Sequence, residues 1–125
     1  MTHWSGRRTP TQATLHSRGS AEAGEVWFAQ LDFTLGSKIR RTRPCFVVSL
    51  DDMNEHLRTT IVPPMTMGSR PAGFRVAVTF QGKRGLIVLD QVRTLDRVRL
   101  VKRMGALRTT TLSQTLGTLQ AMYSL

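Results

Sequence analysis

The strongest constraint on the fold lies at Phe74–Phe80, which reads FRVAVTF. Phe74, Val76, Val78 and Phe80 recur every second residue. That period puts all four on one face of a strand and scatters them around a helix. A turn at Gln81–Arg84 and an apolar run at Gly85–Leu89 follow at once, so the pattern predicts antiparallel strands. Further short strands are predicted at Glu25–Leu31, Pro44–Leu50, Thr59–Met65, Val92–Leu95 and within Arg97–Leu107. Pro63 and Pro64 cannot donate to a ladder, so the far end of the third strand is expected at an edge or bulge. Asp51–Arg58 reads as a polar turn, and His56 within it as solvated. Leu112, Leu116, Leu119 and Met122 or Tyr123 follow helical spacing. Thr109 or Thr110 is the expected N-cap, and Thr111 with Gln114 has capping-box spacing. The predicted class is mainly β with a C-terminal α-helix, the strands forming a small barrel.

Residues 1–23 carry Ser, Thr, Gly and Arg without periodicity and read as a disordered basic tail, leaving 24–125 as one domain. The chain has a net charge of +10. The tail, with three arginines and one glutamate, supplies +2 of it, so +8 belongs to the domain. Such a charge favours polyanionic partners. No apolar run approaches the length of a membrane span, and the N-terminus shows no signal-peptide core, so the expected location is the cytoplasm. The single Cys45 cannot form an internal disulfide and reads as a small buried hydrophobe. His3, His16 and His56 are far apart and one Cys offers no ligand pair, so no metal and no cofactor is expected.

The chemistry concentrates at Lys38–Ser49, KIRRTRPCFVVS, where a basic loop runs into an apolar strand. Pro44 restricts Arg43 to an extended conformation, fixing it where the loop enters the sheet. A fixed guanidinium can donate two hydrogen bonds to one phosphate. Arg43, Thr66 and Asp90 all fall at strand ends beside loops. Cleavage of RNA by its own 2′-hydroxyl needs no protein nucleophile. It needs proton transfer and charge stabilisation, which an arginine, a hydroxyl and a carboxylate can supply without metal. Spacing alone leaves the other reading open, in which Thr66 satisfies a strand end and Asp90 pairs with Arg93.

In order along the chain, GEVWFAQLD at Gly24–Asp32, GSKIRRTRP at Gly36–Pro44, VVS at Val47–Ser49, IVPPMT at Ile61–Thr66, AGF at Ala72–Phe74 and DQVRTLDRVRL at Asp90–Leu100 resemble the MazF/PemK/Kid growth-inhibiting toxins of bacterial toxin–antitoxin systems. The resemblance runs from Gly24 to the C-terminus. It implies an SH3-like barrel with a terminal helix, a homodimer, and metal-independent cleavage of single-stranded RNA at short motifs. The products would be a 2′,3′-cyclic phosphate and a 5′-hydroxyl. It also implies a cognate antitoxin that binds through a flexible acidic segment. On the family pattern Arg43 and Thr66 are functional, and in the Kid-like branch Asp90 is the base. That branch gives RNA contacts at Glu25, Ala72 and Phe74. Phe74 has two readings, stacking on a base or packing in the core. Lys38, Arg40 and Arg41 stand in the loop that covers the RNA groove.

Two departures bear on mechanism. The Kid-like branch has an arginine two residues before the aspartate, where this chain has Val88, so any acid must be Arg43. Lys38-Ile39 and Arg40-Arg41 replace the usual glutamate-glutamine pair and glycines of the loop, which changes the expected cleavage motif. Two other readings compete. One is a CcdB-like inhibitor of DNA gyrase on the same fold; the other is a nucleic-acid-binding barrel without catalysis.

Overall fold

A computed structural model of the chain describes residues 20–31, 42–67 and 73–124. Lys38, Arg40, Arg41 and Ala72, together with residues 1–19 of the tail, lie outside the described residues. The described elements are β1 (Glu25–Gln30), β2 (Thr42–Phe46), α1 (Asp51–His56), β3 (Thr59–Val62), β4 (Met65–Met67), β5 (Arg75–Phe80), β6 (Lys83–Val88), β7 (Arg93–Asp96), β8 (Leu100–Ala106) and α2 (Thr109–Met122). Short 3₁₀ turns at Leu89–Gln91 and Arg97–Arg99 flank β7.

The architecture is mainly β with a C-terminal helix, as the sequence predicts, but the described strands do not close into a barrel. They form three antiparallel sheets ordered β2-β1-β8, β3-β7 and β4-β6-β5. The prolines explain the division. Pro63 and Pro64 end β3, and the chain leaves the β3-β7 sheet for the β4-β6 pair. The expected single strand Thr59–Met65 is therefore two strands around a corner. The proline carbonyls still hold the corner: Pro63 O accepts from Phe46 N at 3.0 Å and Pro64 O from Val88 N at 2.9 Å. The β5–β6 hairpin turns on Gln81 and Gly82, both with positive φ (52° and 77°), which the right-handed strand twist favours in a two-residue loop.

Two apolar clusters fill the interior. One gathers Ala29, Leu31, Cys45, Val47, Val62 and Leu95. The other gathers Val26, Phe46, Val48, Met65, Val76, Ile87 and Leu89, with Leu112, Leu119 and Met122 of α2 packed on it. Alternation along β1 and β2 sends successive side chains to opposite clusters. Ala21 is 1% exposed and belongs to the first cluster, and Ala23 N donates to Asp51 Oδ1 at 2.7 Å. The packed chain thus begins before Gly24.

The segment Asp51–Arg58 is a short helix rather than a turn, held by a buried polar residue. Asn54 is 0% exposed, and its amide binds Ser49 and Thr60. α2 starts after Arg108 with no side-chain cap, so the expected threonine cap is not used. Leu112, Leu119 and Met122 pack inward as the spacing predicts, but Thr115 is fully buried in place of Leu116, which is 37% exposed, and Tyr123 is 72% exposed. No described helix is long and apolar enough to cross a membrane.

Candidate active site

Arg43 and Thr66 are far apart in sequence and adjacent in the fold. Cys45 and Pro64 form an antiparallel bridge. Phe46 N to Pro63 O and Val48 N to Ile61 O keep the same register. Carried two residues the other way, that register sets Arg43 opposite Thr66. Residues in register share a face, so both side chains stand on the face of the Cys45–Pro64 bridge, at the strand ends beyond it. β1 continues the row, since Ala29 pairs with Arg43, and β6 continues it on the other side, since Thr66 pairs with Leu86.

The two side chains differ from their surroundings in being unpartnered. Arg43 is exposed, and its guanidinium makes no hydrogen bond or ion pair with a described residue. The Thr66 hydroxyl is out of contact with solvent and has no partner either. A desolvated hydroxyl without an acceptor costs about 1–3 kcal/mol, and an oxygen brought within reach recovers it. The close approach of β6 fixes the strand that carries it: a Cβ on Gly85 would lie 2.5 Å from Thr66 O. Only glycine admits that contact, and sequence reasoning assigned Gly85 nothing beyond a place in a strand.

The floor beneath the pair is dry. Cys45 is 0% exposed on the same face as Arg43, and burial pushes its thiol up to about 12 against the opposing pull of Arg93 and Arg43. It is a neutral space-filler and no nucleophile. A groove of about 250 Å³ opens on the other face of these strands. Phe28, Pro44, Met65, Val78, Phe80 and Met104 line it, with Lys83 and Gln81 also present and Thr66 at its border. It can seat an apolar group, and its one ionisable lining residue is Lys83.

Asp90 lies on the exposed 3₁₀ turn after β6. Its partner is Arg75, not Arg93: Arg75 Nε lies 3.3 Å from Oδ1 and Nη2 3.5 Å from Oδ2. That hydrogen bonding holds the carboxyl below its usual range, which makes it a weak proton acceptor. Arg93 instead donates to Leu31 O at 2.9 Å. Sequence reading missed Arg75; its outward position in the cleanest strand was visible, but its partner was not.

Glu25 is spoken for. Its carboxylate accepts from Arg103 Nε at 2.6 Å, from Trp27 Nε1 at 3.0 Å and from Glu22 N at 2.8 Å. Phe74 precedes β5 and is 52% exposed, which removes it from the core and leaves its ring open to a partner. Among the described residues no cluster of His, Cys, Asp and Glu is arranged to hold a metal.

Residues 22–123 match the model of the PemK-like, MazF-like toxins of type II toxin–antitoxin systems. Endoribonuclease EndoA of Bacillus subtilis is 32% identical over 87 residues, covering 65% of this chain and 75% of that protein. Endoribonuclease MazF of Staphylococcus epidermidis is 31% identical over 87 residues, covering 65% and 72%. A MazE–MazF crystal structure from Deinococcus radiodurans superposes with a TM-score of 0.73 at 22% identity, covering 82% of this chain and 95% of that one.

Proposed function

The chain belongs to the PemK-like, MazF-like toxins of type II toxin–antitoxin systems, and we propose that it is an endoribonuclease that cleaves single-stranded RNA with Arg43 and Thr66 at the scissile phosphate. The observation that carries the site assignment is the register that sets an unpartnered guanidinium opposite an unpartnered, desolvated hydroxyl. Curated relatives named as endoribonucleases supply the reaction class.

In the proposed reaction the substrate's 2′-oxygen attacks the adjacent phosphorus. The bond from phosphorus to the 5′-oxygen breaks, leaving a 2′,3′-cyclic phosphate and a 5′-hydroxyl. The 2′-hydroxyl proton is lost to solvent, and the leaving 5′-oxygen gains one. Arg43 offers its forked donors to the non-bridging oxygens and the leaving oxygen as charge develops. Thr66 donates to a phosphate oxygen. Cys45, buried two residues further along the same face, keeps water from that side of the pair, which strengthens their pull on an anion. Lys38, Arg40 and Arg41 are assigned to the RNA backbone, and Ala72 and Phe74 to a base. Glu25, already bound on three sides, is assigned to holding β1 and β8 together rather than to RNA.

An acidic antitoxin segment is the proposed regulator. The Deinococcus neighbour is a toxin–antitoxin complex, and the +10 charge of this chain suits an acidic partner. A homodimer in the bacterial cytoplasm completes the reading.

The test is cleavage of a long unstructured RNA in EDTA by wild type and Arg43→Ala, with fragment ends analysed for cyclic phosphate. Cuts at a short motif that the variant fails to make support the assignment. Equal cutting by both removes Arg43 from the mechanism. No cutting by either, on varied RNAs, favours gyrase inhibition or a non-catalytic binder.

A further inference from the structure

Arg75 lies on the same face of the β4-β6-β5 sheet as Thr66. Thr66 pairs with Leu86, and Leu86 with Ala77. Ala77 and Arg75 are two apart on β5 and so share a face. The neighbouring row confirms the alignment, since Val88 N donates to Pro64 O and Val88 pairs with Arg75. Two strand spacings and two residues separate Thr66 from Arg75, roughly 12 Å along this face.

Arg75 is also held in place. Nε and Nη2 face the two oxygens of Asp90, and Leu89 N donates to Phe74 O at 3.1 Å, tying the start of β5 to the turn that carries Asp90. The arginine side chain is 29% exposed, and two of its five N–H donors are turned toward Asp90. The remaining ones are available to an anion.

We propose that Arg75 is a second phosphate contact on the RNA strand bound at Thr66, and that Asp90 is the positioning residue that orients it. This inference rests on the ribonuclease reading. RNA crossing the sheet from Arg43 and Thr66 toward β5 brings a neighbouring phosphate to Arg75. Asp90 restrains the guanidinium beforehand, so less rotamer freedom is lost on binding. The ion pair itself contributes little to folding, its side chains being 29% and 42% exposed.

The experiment measures binding and cleavage of a labelled single-stranded RNA carrying the mapped motif. A 2′-deoxy nucleotide at the cut site keeps it intact for binding. Arg75→Ala is expected to weaken binding about threefold to tenfold and to reduce the slope of log Kd against log salt by about 0.7, the value of one phosphate contact on a single strand. In cleavage assays the loss falls on KM and not on kcat. Asp90→Asn is expected to weaken binding although it removes a negative charge near a polyanion, and to do so only when Arg75 is present.

An unchanged salt slope in Arg75→Ala overturns the proposal, as does tighter binding by Asp90→Asn in the Arg75 background. A loss of kcat alone in Asp90→Asn makes the carboxylate a base and also overturns it, while the ribonuclease reading stands. If wild type neither binds nor cuts RNA, the ribonuclease reading itself fails. Thermal melts check folding; should Arg75→Ala be unstable, Arg75→Lys keeps the charge and loses the two-point pairing, and its KM rise carries the test.

Discussion

Two of the regions that bury hydroxyl groups treat them in opposite ways. Behind α1, Ser49 Oγ and Thr60 Oγ1 both reach Asn54 Oδ1, at 2.5 and 2.9 Å, and Ile61 N donates to Ser49 Oγ at 3.0 Å. Every polar group there has a partner, so the cluster stabilises the fold and has nothing left to offer a ligand. On β4, Thr66 Oγ1 has none among the described residues and is in register with Arg43, whose guanidinium has none there either. An orphan hydroxyl is not by itself a site. Thr115 Oγ1 is buried and unpartnered too, but it lies inside α2, away from any strand end. The combination of a desolvated donor and a facing cation is what the proposed substrate site on the β2–β4 row rests on.

The largest effect expected from that contrast is at Arg43. Arg43→Ala should lower cleavage on the order of 10²–10³-fold, the usual cost of one preorganised transition-state donor. Its melting temperature should match wild type, because the guanidinium has no described partner to lose. A drop in melting temperature together with full activity would place Arg43 with the structural cluster instead.

Asn54→Ala probes the other side. Removing the amide takes their shared acceptor from the Ser49 and Thr60 hydroxyls, which keep only each other and Ile61 N, and costs about 2–4 kcal/mol of stability in urea titrations. Per folded molecule, cleavage is expected to be unchanged. Lost activity at a temperature where the variant is still folded would break the division between the two regions.

These two clusters also show how much of the molecule was readable in advance. Alternation at Phe74–Phe80 gave β5 to within one residue, and the extra residue, Phe74, turned out to stand exposed before the strand. The proline pair announced a break, but not that the chain changes sheets there. Asp51–His56 read as a turn because its residues are polar; what makes it a helix is Asn54 bonding to Ser49 and Thr60, and sequence spacing carries no such information. The same limit hid the site's assembly. That Arg43 stands opposite Thr66, and that Asp90 meets Arg75 instead of Arg93, are matters of strand register between distant segments, fixed by which apolar faces must be buried together.

Thr66→Val tests the held-back donor directly, with a smaller effect of mixed sign. Losing the hydroxyl should cost cleavage about 10- to 100-fold, as expected for one charge-assisted hydrogen bond. The same change should raise stability by about 1 kcal/mol, because the methyl replaces a buried polar atom that binds nothing. Thr60→Val should do the reverse, lowering stability and sparing activity. If both threonine variants lose stability alike, Thr66 has a partner and the contrast collapses.

The smallest effect sharpens the claim that the floor under Arg43 is dry. Burial is the main reason the Cys45 thiol is pushed from 9.0 to about 12, and it outweighs the two nearby arginines. The sign follows from proton counts. Above pH 9 the unfolded chain releases the thiol proton while the folded chain keeps it, so alkali favours unfolding. Stability should therefore fall by about 1 kcal/mol more between pH 8 and 10 in wild type than in Cys45→Ala, which has no thiol to titrate. The native thiol should also resist a thiol-specific reagent at pH 8 and react once urea unfolds the chain. Equal pH slopes, or rapid labelling of the native protein, would mean that water reaches the floor. Arg43 would then act on phosphate through a screened field, and the loss expected from Arg43→Ala would shrink accordingly.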